Sequence, residues 1–412
     1  MKFSGIASSV AVLAAVASAT PTPASWTPKS LLATRTIEKR ASVEDACDIG
    51  FCTEGTGTTG GAGGPTTTVT SLADYQAALE AEGAAIIVVD GAISGSARIR
   101  LASDKTVIGL PGSSVTGIGH YINKQSNVIL RNLKISKVVA ANGDAIGIQE
   151  STNVWVDHCD LSSDLDSGKD FYDGLLDITR ASDFITVSNT YLHDHHKASL
   201  IGHSDNNAAQ DTGKFHVSYI NNHWENTGSR NPSVRFGTAV HIVNNLYENV
   251  GLTGVNARMG AQILVESTSF VNSANPIVSR DSDETGFVVV KDVIGADDNA
   301  VPEGTLTSVP YAYTALGSAN VGSVAQTAGQ KLTFDGSSAP APAPAPETPV
   351  ESAPATPTAP VEETPEEPAT PVESAPATEP SAPVADDEEV EEVCTRRRVK
   401  KSLRLRRKAL RA

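Results

Sequence analysis

A recurring pattern of hydrophobic and polar positions runs through the middle of the chain. Short β-type hydrophobic runs each close on a polar residue, at Asn132, Asp157-His158, Asn189, Asn221, Asn244 and Ser267. A hydrophobic residue follows at a fixed distance after each run: Ile135, Leu161, Leu192, Trp224, Tyr247 and Phe270. The last two repeats are about 23 residues long and the earlier ones are longer, which indicates inserted loops in the earlier repeats.

A β-rich repeat of this length predicts an all-β fold, the right-handed single-stranded parallel β-helix, with one coil per repeat. One coil cannot bury its own inner face, so stacked coils build the core. The repeated asparagines are expected to hydrogen-bond from coil to coil. The inserted loops are expected on one face, where binding chemistry usually lies. A β-sandwich with chance similarity remains the alternative, because alternation alone does not exclude it.

Composition divides the chain into five segments. A small basic start and a short apolar run predict a signal peptide, and Lys39-Arg40 fits a maturation site. The globular composition gives way near Ser337 to a region rich in Pro, Ala, Glu and Thr that cannot bury a core. The predicted segments are a signal peptide at 1–19, a propeptide at 20–40, the β-helix domain at 41–336, a disordered linker at 337–393 and a basic tail at 394–412.

The formal net charge of −16 says little about the partner of the folded domain. An acidic run at 386–389 and the basic residues after it lie outside the globular region. No later segment is long and apolar enough to cross a bilayer, and a secretory signal argues against nucleic acid as the partner of the basic tail. The chain is therefore expected to be a secreted, extracellular monomer without a membrane anchor.

Four cysteines do not make a disulfide scaffold in a chain of this length. Cys47 and Cys52 are placed to close a small loop in an oxidising compartment. Cys159 lies in a strand-like run and is expected to be a buried apolar residue. Cys394 lies in the tail, and the pairing of the four stays open.

Three carboxylates, Asp144, Asp173 and Asp177, fall in neighbouring repeats, so stacking would bring them together. A calcium ion takes several oxygen ligands, carboxylates among them, at about 2.4 Å. A single loop aspartate is more often simply solvated. The basic residues that follow these three acids in the chain favour a binding site over simple solvation.

Lys197, Arg230 and Arg235 follow the acids in the next repeats, with the two arginines on either side of Pro232. Guanidinium groups recognise carboxylates with two parallel hydrogen bonds. Cations beside a metal site suit a polyanionic chain with regularly spaced carboxylates, although structural ion pairs with the acids are the alternative. The histidines lack the spacing of a zinc site.

Taken together, Trp155-Val156-Asp157-His158-Cys159, the Asp173-to-Asp177 spacing, Lys197 in its His-rich context and Arg230-x-Pro-x-x-Arg235 resemble the pectate lyase and pectin lyase family. The resemblance spans residues 47–334 and is greatest to secreted fungal or oomycete members. It implies that Asp144, Asp173 and Asp177 bind calcium, that Arg230 is catalytic, and that Lys197 and Arg235 bind the substrate carboxylate. Asn142 departs from the pattern, since some members carry an aspartate there, and Asp157 is not an implied ligand.

The resemblance implies calcium-dependent β-elimination of de-esterified (1→4)-α-D-galacturonan (pectate) in plant cell walls, leaving 4,5-unsaturated sugar ends. Arg230 would accept the C5 proton. Because a guanidinium normally stays protonated beyond about pH 12, this role predicts an alkaline optimum. The alternatives are a pectin lyase acting on methyl-esterified chains without calcium and a non-catalytic wall-binding protein. A galacturonan hydrolase is disfavoured because no acid pair of the hydrolytic type is found.

Overall fold

The computed structural model describes residues 41–297 and 301–334, so the predicted signal peptide, propeptide, linker and basic tail lie outside the described residues. The strands, numbered in chain order, are β1 Thr66–Val69, β2 Ala85–Val89, β3 Ala92–Leu101, β4 Lys105–Gly109, β5 Ser114–Asn123, β6 Ser126–Arg131, β7 Lys134–Ser136, β8 Ile146–Gln149, β9 Thr152–Asp157, β10 Asp160–Ser162, β11 Leu176–Thr179, β12 Asp183–Ser188, β13 Tyr191–Lys197, β14 Ser199–Ile201, β15 His216–Ile220, β16 His223–Ser229, β17 Ser233–Arg235, β18 Ala239–Val243, β19 Leu246–Glu248, β20 Val255–Arg258, β21 Gln262–Val271, β22 Ile277–Val278 and β23 Phe287–Ile294. The α-helices are α1 Leu72–Glu80, α2 Ala208–Asp211 and α3 Val324–Thr327, and 3-10 turns cover Phe51–Thr53, Ala140–Asn142, Asp205–Asn207 and Ser318–Ser323. None of the described helices is long and apolar enough to cross a bilayer.

Every pair of these strands is parallel, and each strand pairs with its counterpart in the next coil. Three long sheets result. The first runs through β2, β4, β6, β9, β12, β15 and β18; the second through β7, β10, β13, β16 and β19; the third through the ends of β3 and β5 and then β8, β11, β14, β17, β20 and β22. This topology confirms the predicted parallel β-helix and excludes the β-sandwich. The inserted segments 163–175 and 202–215 both adjoin the third sheet, so the loops gather on one face as predicted.

Hydrophobic side chains stack along the axis at the positions that the repeat predicts. Leu192, Trp224, Tyr247 and Phe270 are paired in register on successive strands. The rings of Trp224 and Tyr247 lie 5.5 Å apart, and those of Tyr247 and Phe270 lie 4.4 Å apart and nearly parallel. Each ring is buried only because the next coil covers it, so the core depends on stacking and not on any single coil.

The predicted asparagine ladder is present at the end of the first sheet. Asn189 donates its amide to Asp157 at 3.0 Å, Asn221 donates to Asn189 at 3.3 Å, and Asn244 donates to Asn221 at 3.0 Å. Ser267 closes the series by donating to Asn244 at 2.6 Å. These turn positions have positive φ, 56° at both Asn221 and Asn244, a conformation that asparagine tolerates better than most residues.

The ladder starts on the buried carboxylate of Asp157. Arg131 Nε lies 2.9 Å from it, and His158 Nδ1 lies 2.8 Å from it. Burial raises the pKa of Asp157, but the hydrogen bond and charge of His158 and the charge of Arg131 outweigh burial and hold that pKa below its usual value. The second arm of Arg131 reaches Asp45 at 2.9 Å, so this group also ties the start of the described chain to the coils.

A disulfide joins Cys47 and Cys52, whose Cα atoms lie 6.2 Å apart. Cys52 is buried against Ile129 and Trp155 on the outside of the first sheet. Cys159 is buried and has a free thiol, in agreement with its predicted role as a small apolar residue.

Candidate active site

The predicted site residues lie along the third sheet, where the inserted loops cover it. Asp144 lies in the turn before β8, Asp177 is the second residue of β11, and Lys197 is the last residue of β13, directly before β14. Arg230 lies between β16 and β17, and Arg235 ends β17. Because β8, β11, β14 and β17 are consecutive in the third sheet, residues far apart in sequence meet within four coils.

Asp144 and Asp177 face one small gap above Gly174. Oδ1 of Asp144 accepts a hydrogen bond from the Gly174 N–H at 2.9 Å, and Oδ1 of Asp177 accepts one from the Leu200 N–H at 3.0 Å. A methyl group on Gly174 would lie 2.6 Å from Oδ1 of Asp177 and 2.8 Å from Oδ1 of Asp144. Asp177 is only 9% exposed. Two carboxylate oxygens therefore converge on a space that only a glycine leaves open.

The two carboxylates repel each other's negative charge. Burial and the nearby charge of Asp173 raise the pKa of Asp144 to about 7, while Arg98 and Arg230 act in the opposite direction. Burial and the charge of Asp144 likewise raise the pKa of Asp177, again opposed by Arg230. The positive charge of Arg230 thus acts on both acids, and the gap between them favours a positive ion.

Lys197 contacts the third predicted ligand, Asp173, and a second acid of the same loop. Its buried Nζ lies 3.1 Å from Oδ1 of Asp170 and 3.6 Å from Oδ1 of Asp173. Among the described residues, no three histidine, cysteine, aspartate or glutamate side chains are grouped so that they form a metal site on their own. The sequence did not single out Asp170, because it lies in an inserted loop that has no counterpart in the repeat.

Arg235 is held in place by a second inserted loop. Its Nε donates to Oδ1 of Asp205 at 2.5 Å, and its Nη1 donates to the carbonyl of Gly202 at 3.1 Å. Asp205 also accepts a hydrogen bond from Ser282 at 2.8 Å and lies 3.7 Å from Arg258. Arg258 pairs in register with Arg235 on the next coil. The repeat spacing alone therefore predicts that Arg258 lies beside Arg235, although Arg258 was not among the residues predicted for the site.

Asn142, the departure from the family pattern, has a role in the fold. Its amide nitrogen donates to Ser96 Oγ and to the carbonyl of Gly117, both at 3.0 Å. A carboxylate has no hydrogen to donate, so an aspartate at this position would lose the bond to the Gly117 carbonyl, and the Ser96 hydroxyl would have to become the donor in the other. Asn142 therefore anchors the turn that carries Asp144.

The donor set fits a calcium ion in its chemistry. Calcium is bound by oxygen ligands, and carboxylates are the commonest charged ones. Asp144 and Asp177 supply two carboxylates that are mutually destabilised, and Asp173 is the nearest further carboxylate that influences both. A divalent cation would relieve this repulsion, whereas the arginines alone only offset it in part.

Comparison with known proteins agrees with the geometry. The sequence model of a family described as pectate lyase matches residues 27–332. The chain is 56% identical over 329 residues to a probable pectate lyase B of Aspergillus flavus, covering 78% of this chain and 98% of that protein. It is 58% identical over 303 residues to pectate lyase B of Colletotrichum gloeosporioides, covering 73% of this chain and 90% of that protein.

Solved structures show the same fold. A pectate lyase of Bacillus sp. N165 in complex with trigalacturonate superposes with a TM-score of 0.62 at 27% identity, covering 69% of this chain and 98% of that one. A pectate lyase bound to a hexasaccharide has a TM-score of 0.64 at 21% identity, covering 70% of this chain and 99% of that one. The chain therefore belongs to the pectate lyase family and is a polysaccharide lyase.

Proposed function

We propose that this protein is a secreted, calcium-dependent pectate lyase that cleaves de-esterified galacturonan by β-elimination and leaves 4,5-unsaturated ends. The observation that carries the proposal is the convergence of Asp144 and Asp177 on Gly174, with Arg230 on the adjoining coil. The Ser199 N–H binds the Arg230 carbonyl, and the next N–H, of Leu200, binds Asp177. Lys197 directly precedes β14, and Arg235 ends β17, which pairs with β14 on the next coil. An acid pair with three neighbouring cations matches an anionic substrate that shares a metal ion with the protein.

Asp144, Asp173 and Asp177 would hold the calcium ion. When bound, the ion supplies positive charge that balances these acids and a carboxylate of the substrate, which makes the adjacent C–H bond more acidic. Without that charge, the acids of the site would repel a polyuronate. The substrate preference for de-esterified chains follows, since a methyl ester presents no negative charge to the site.

In this proposal the neutral guanidine of Arg230 accepts the C5 proton, and the C5–H electron pair forms the C4=C5 double bond as the C4–O bond to the next sugar breaks. The leaving oxygen keeps the C4–O electron pair and takes a proton from water. The backbone of Arg230 is fixed on both sides. The Arg230 N–H donates to Thr253 Oγ1 at 3.4 Å, and its carbonyl accepts from the Ser199 N–H at 2.7 Å. A base of this type must lose a proton before it acts, so activity should rise towards alkaline pH.

Lys197 and Arg235 orient the substrate carboxylate. The Nη2 group of Arg235 makes no hydrogen bond to any described residue, while Asp205 and Gly202 hold the other end of the guanidinium. The Nη2 side of the guanidinium is therefore oriented to bind a carboxylate. The ammonium group of Lys197 supplies a second positive charge for the same carboxylate. That carboxylate would replace Asp170 and Asp173 as the partners of Lys197.

The decisive experiment follows the ultraviolet absorbance of unsaturated products, with added calcium or with a chelator, on polygalacturonate and on methyl-esterified pectin. We expect activity on polygalacturonate that the chelator abolishes, an alkaline optimum, and a loss of about 10²–10⁴-fold in kcat for Arg230→Lys. Chelator-resistant activity on esterified pectin would show a pectin lyase instead. Unchanged wall binding and unchanged biological effect in Arg230→Ala, with no product from the wild type, would show a binding protein.

A further inference from the structure

A cationic and aromatic group adjoins the acid site on its N-terminal side. Arg98 and Arg100 lie on β3, and Tyr121 lies on β5, all in the third sheet. Arg100 is in register with Tyr121, Tyr121 with Gly147, and Gly147 with Asp177. The group therefore continues the row of positions to which Asp177 belongs, with Tyr121 two strands and Arg100 three strands before Asp177.

The three side chains form a stacked platform. The guanidinium carbon of Arg98 lies 3.9 Å from the centre of the Tyr121 ring, and that of Arg100 lies 6.0 Å from it. The Tyr121 hydroxyl donates to Gln149 at 2.9 Å, which fixes the ring. Both arginines are exposed. Arg98 makes no hydrogen bond or ion pair with any described residue, so stacking alone holds its planar group.

Arg98 reaches the edge of the acid site itself. Its Nε would lie 3.2 Å from a methyl group placed on Gly143, the residue directly before Asp144. A stacked guanidinium keeps its N–H edge free for a carboxylate and loses little conformational freedom on binding one. The platform is thus continuous with the site and has the chemistry of an anion-binding surface.

We propose that Arg98, supported by Tyr121 and Arg100, binds a second uronate unit of the same substrate chain, at a distance from the bond that is cleaved. The proposal rests on the proposed function of the site. Five strand-to-strand steps separate β3, which carries Arg98, from β17, which follows Arg230, on the order of 24 Å between the strand backbones. The side chain of Arg98 extends to Gly143, so its guanidinium lies closer to the acid site than its backbone does. A substrate chain must still extend past the acids to make the second contact, so the platform makes the enzyme prefer long substrates.

The test is the dependence of kcat and KM on substrate length, with oligogalacturonates from trimer to decamer at saturating calcium. Arg98→Ala should raise KM for the decamer about tenfold, the effect expected for one charge-assisted hydrogen bond. The effects on kcat and on the trimer should be smaller, because at saturating calcium they reflect only the loss of the Arg98 charge beside Asp144. Tyr121→Ala should give the same pattern, and Tyr121→Phe, which keeps the ring, should resemble the wild type.

Lys331→Ala is the matched control, because it also removes one exposed positive charge but lies beside the turn between the first and second sheets, where the Leu332 N–H donates to Asn132. Equal effects of Arg98→Ala and Lys331→Ala would show only general electrostatic attraction and would overturn the proposal. Equal losses on trimer and decamer would do the same, by showing that Arg98 acts on the acid site.

Calorimetric binding of the decamer to wild type and Arg98→Ala gives a measurement that needs no turnover. Weaker binding in the variant supports the platform, and equal affinity refutes it. If the wild type cleaves no galacturonate of any length, the proposed function fails, while this comparison of affinities still decides the question of the platform.

Discussion

Replacement of Gly174 by alanine changes the acid site by one methyl group. That methyl would lie 2.6 Å from Oδ1 of Asp177 and 2.8 Å from Oδ1 of Asp144. Ordinary contacts of carbon atoms begin at about 3.5 Å, so the two carboxylates, the loop, or both must move by roughly 0.7–0.9 Å. The Gly174 N–H also holds Asp144 at 2.9 Å, and a shift of the loop would carry this hydrogen bond with it.

A displacement near 1 Å in a positioning group costs about 10²-fold in rate. We therefore expect Gly174→Ala to lower kcat/KM on polygalacturonate by about 10²-fold and to weaken calcium binding to the substrate-free protein. The first is measured by ultraviolet absorbance of the products over a calcium series. The second is measured by calorimetry, which reports on the acids without turnover.

Gly168→Ala is the control, because Gly168 lies in the same inserted loop and a methyl group there meets no atom within 4 Å. The control should match the wild type in activity, calcium affinity and melting temperature. If Gly174→Ala kept wild-type kcat/KM and calcium affinity, the convergence of Asp144 and Asp177 on this gap would not be the metal site.

Three further predictions concern the support of the site and of the fold. Asp205→Ala should raise KM for polygalacturonate several-fold with a smaller change in kcat, because Arg235 loses the carboxylate that orients it. Steady-state kinetics at saturating calcium measures both constants, and an unchanged KM would contradict the prediction. Asp157→Asn leaves Arg131 partly unpaired in a buried place and should cost about 3–5 kcal/mol near neutral pH. Because the folded pKa of Asp157 is lowered, this stabilisation is present above its unfolded pKa of about 3.9 and disappears as pH falls through the folded pKa. The difference in free energy of unfolding between wild type and variant, measured by urea denaturation, should therefore vanish in acid. Trp224→Ala should cost about 3–5 kcal/mol by opening the ring stack, and a loss below 1 kcal/mol would show that the stack is not a main source of stability.

The sequence alone was sufficient to predict the coils, and it also predicted which candidate site residues lie on neighbouring coils. A repeat determines which residues occupy equivalent positions, so Asn189, Asn221 and Asn244 can be aligned from the sequence alone. The same periodicity brings Asp144 and Asp177 onto neighbouring coils. Stacking in a solenoid is a local rule applied many times, which is why it can be predicted from pattern.

What the pattern could not supply lies in the inserted loops. Asp170 and Asp205 pair with Lys197 and Arg235, yet neither acid occupies a position that the repeat defines. The path of a loop depends on contacts with distant coils, as Asp205 shows by meeting Ser282. Asp173 was expected to bind a metal ion together with Asp144 and Asp177. In the structure its Oδ1 lies 3.6 Å from Lys197 Nζ, so it forms an ion pair with that lysine.

The asparagine ladder has a direction. Asn189, Asn221 and Asn244 each donate toward the preceding coil, so their amide dipoles add along the axis and the positive end meets Asp157. A carboxylate can only accept, and it therefore terminates the series at that end, much as an acidic residue terminates the positive end of a helix. A whole coil of about 23 residues inserted or removed between Asn221 and Ser267 would leave every donor facing an acceptor. The ladder thus makes the length of the solenoid adjustable in units of one coil, whereas its two ends cannot be exchanged.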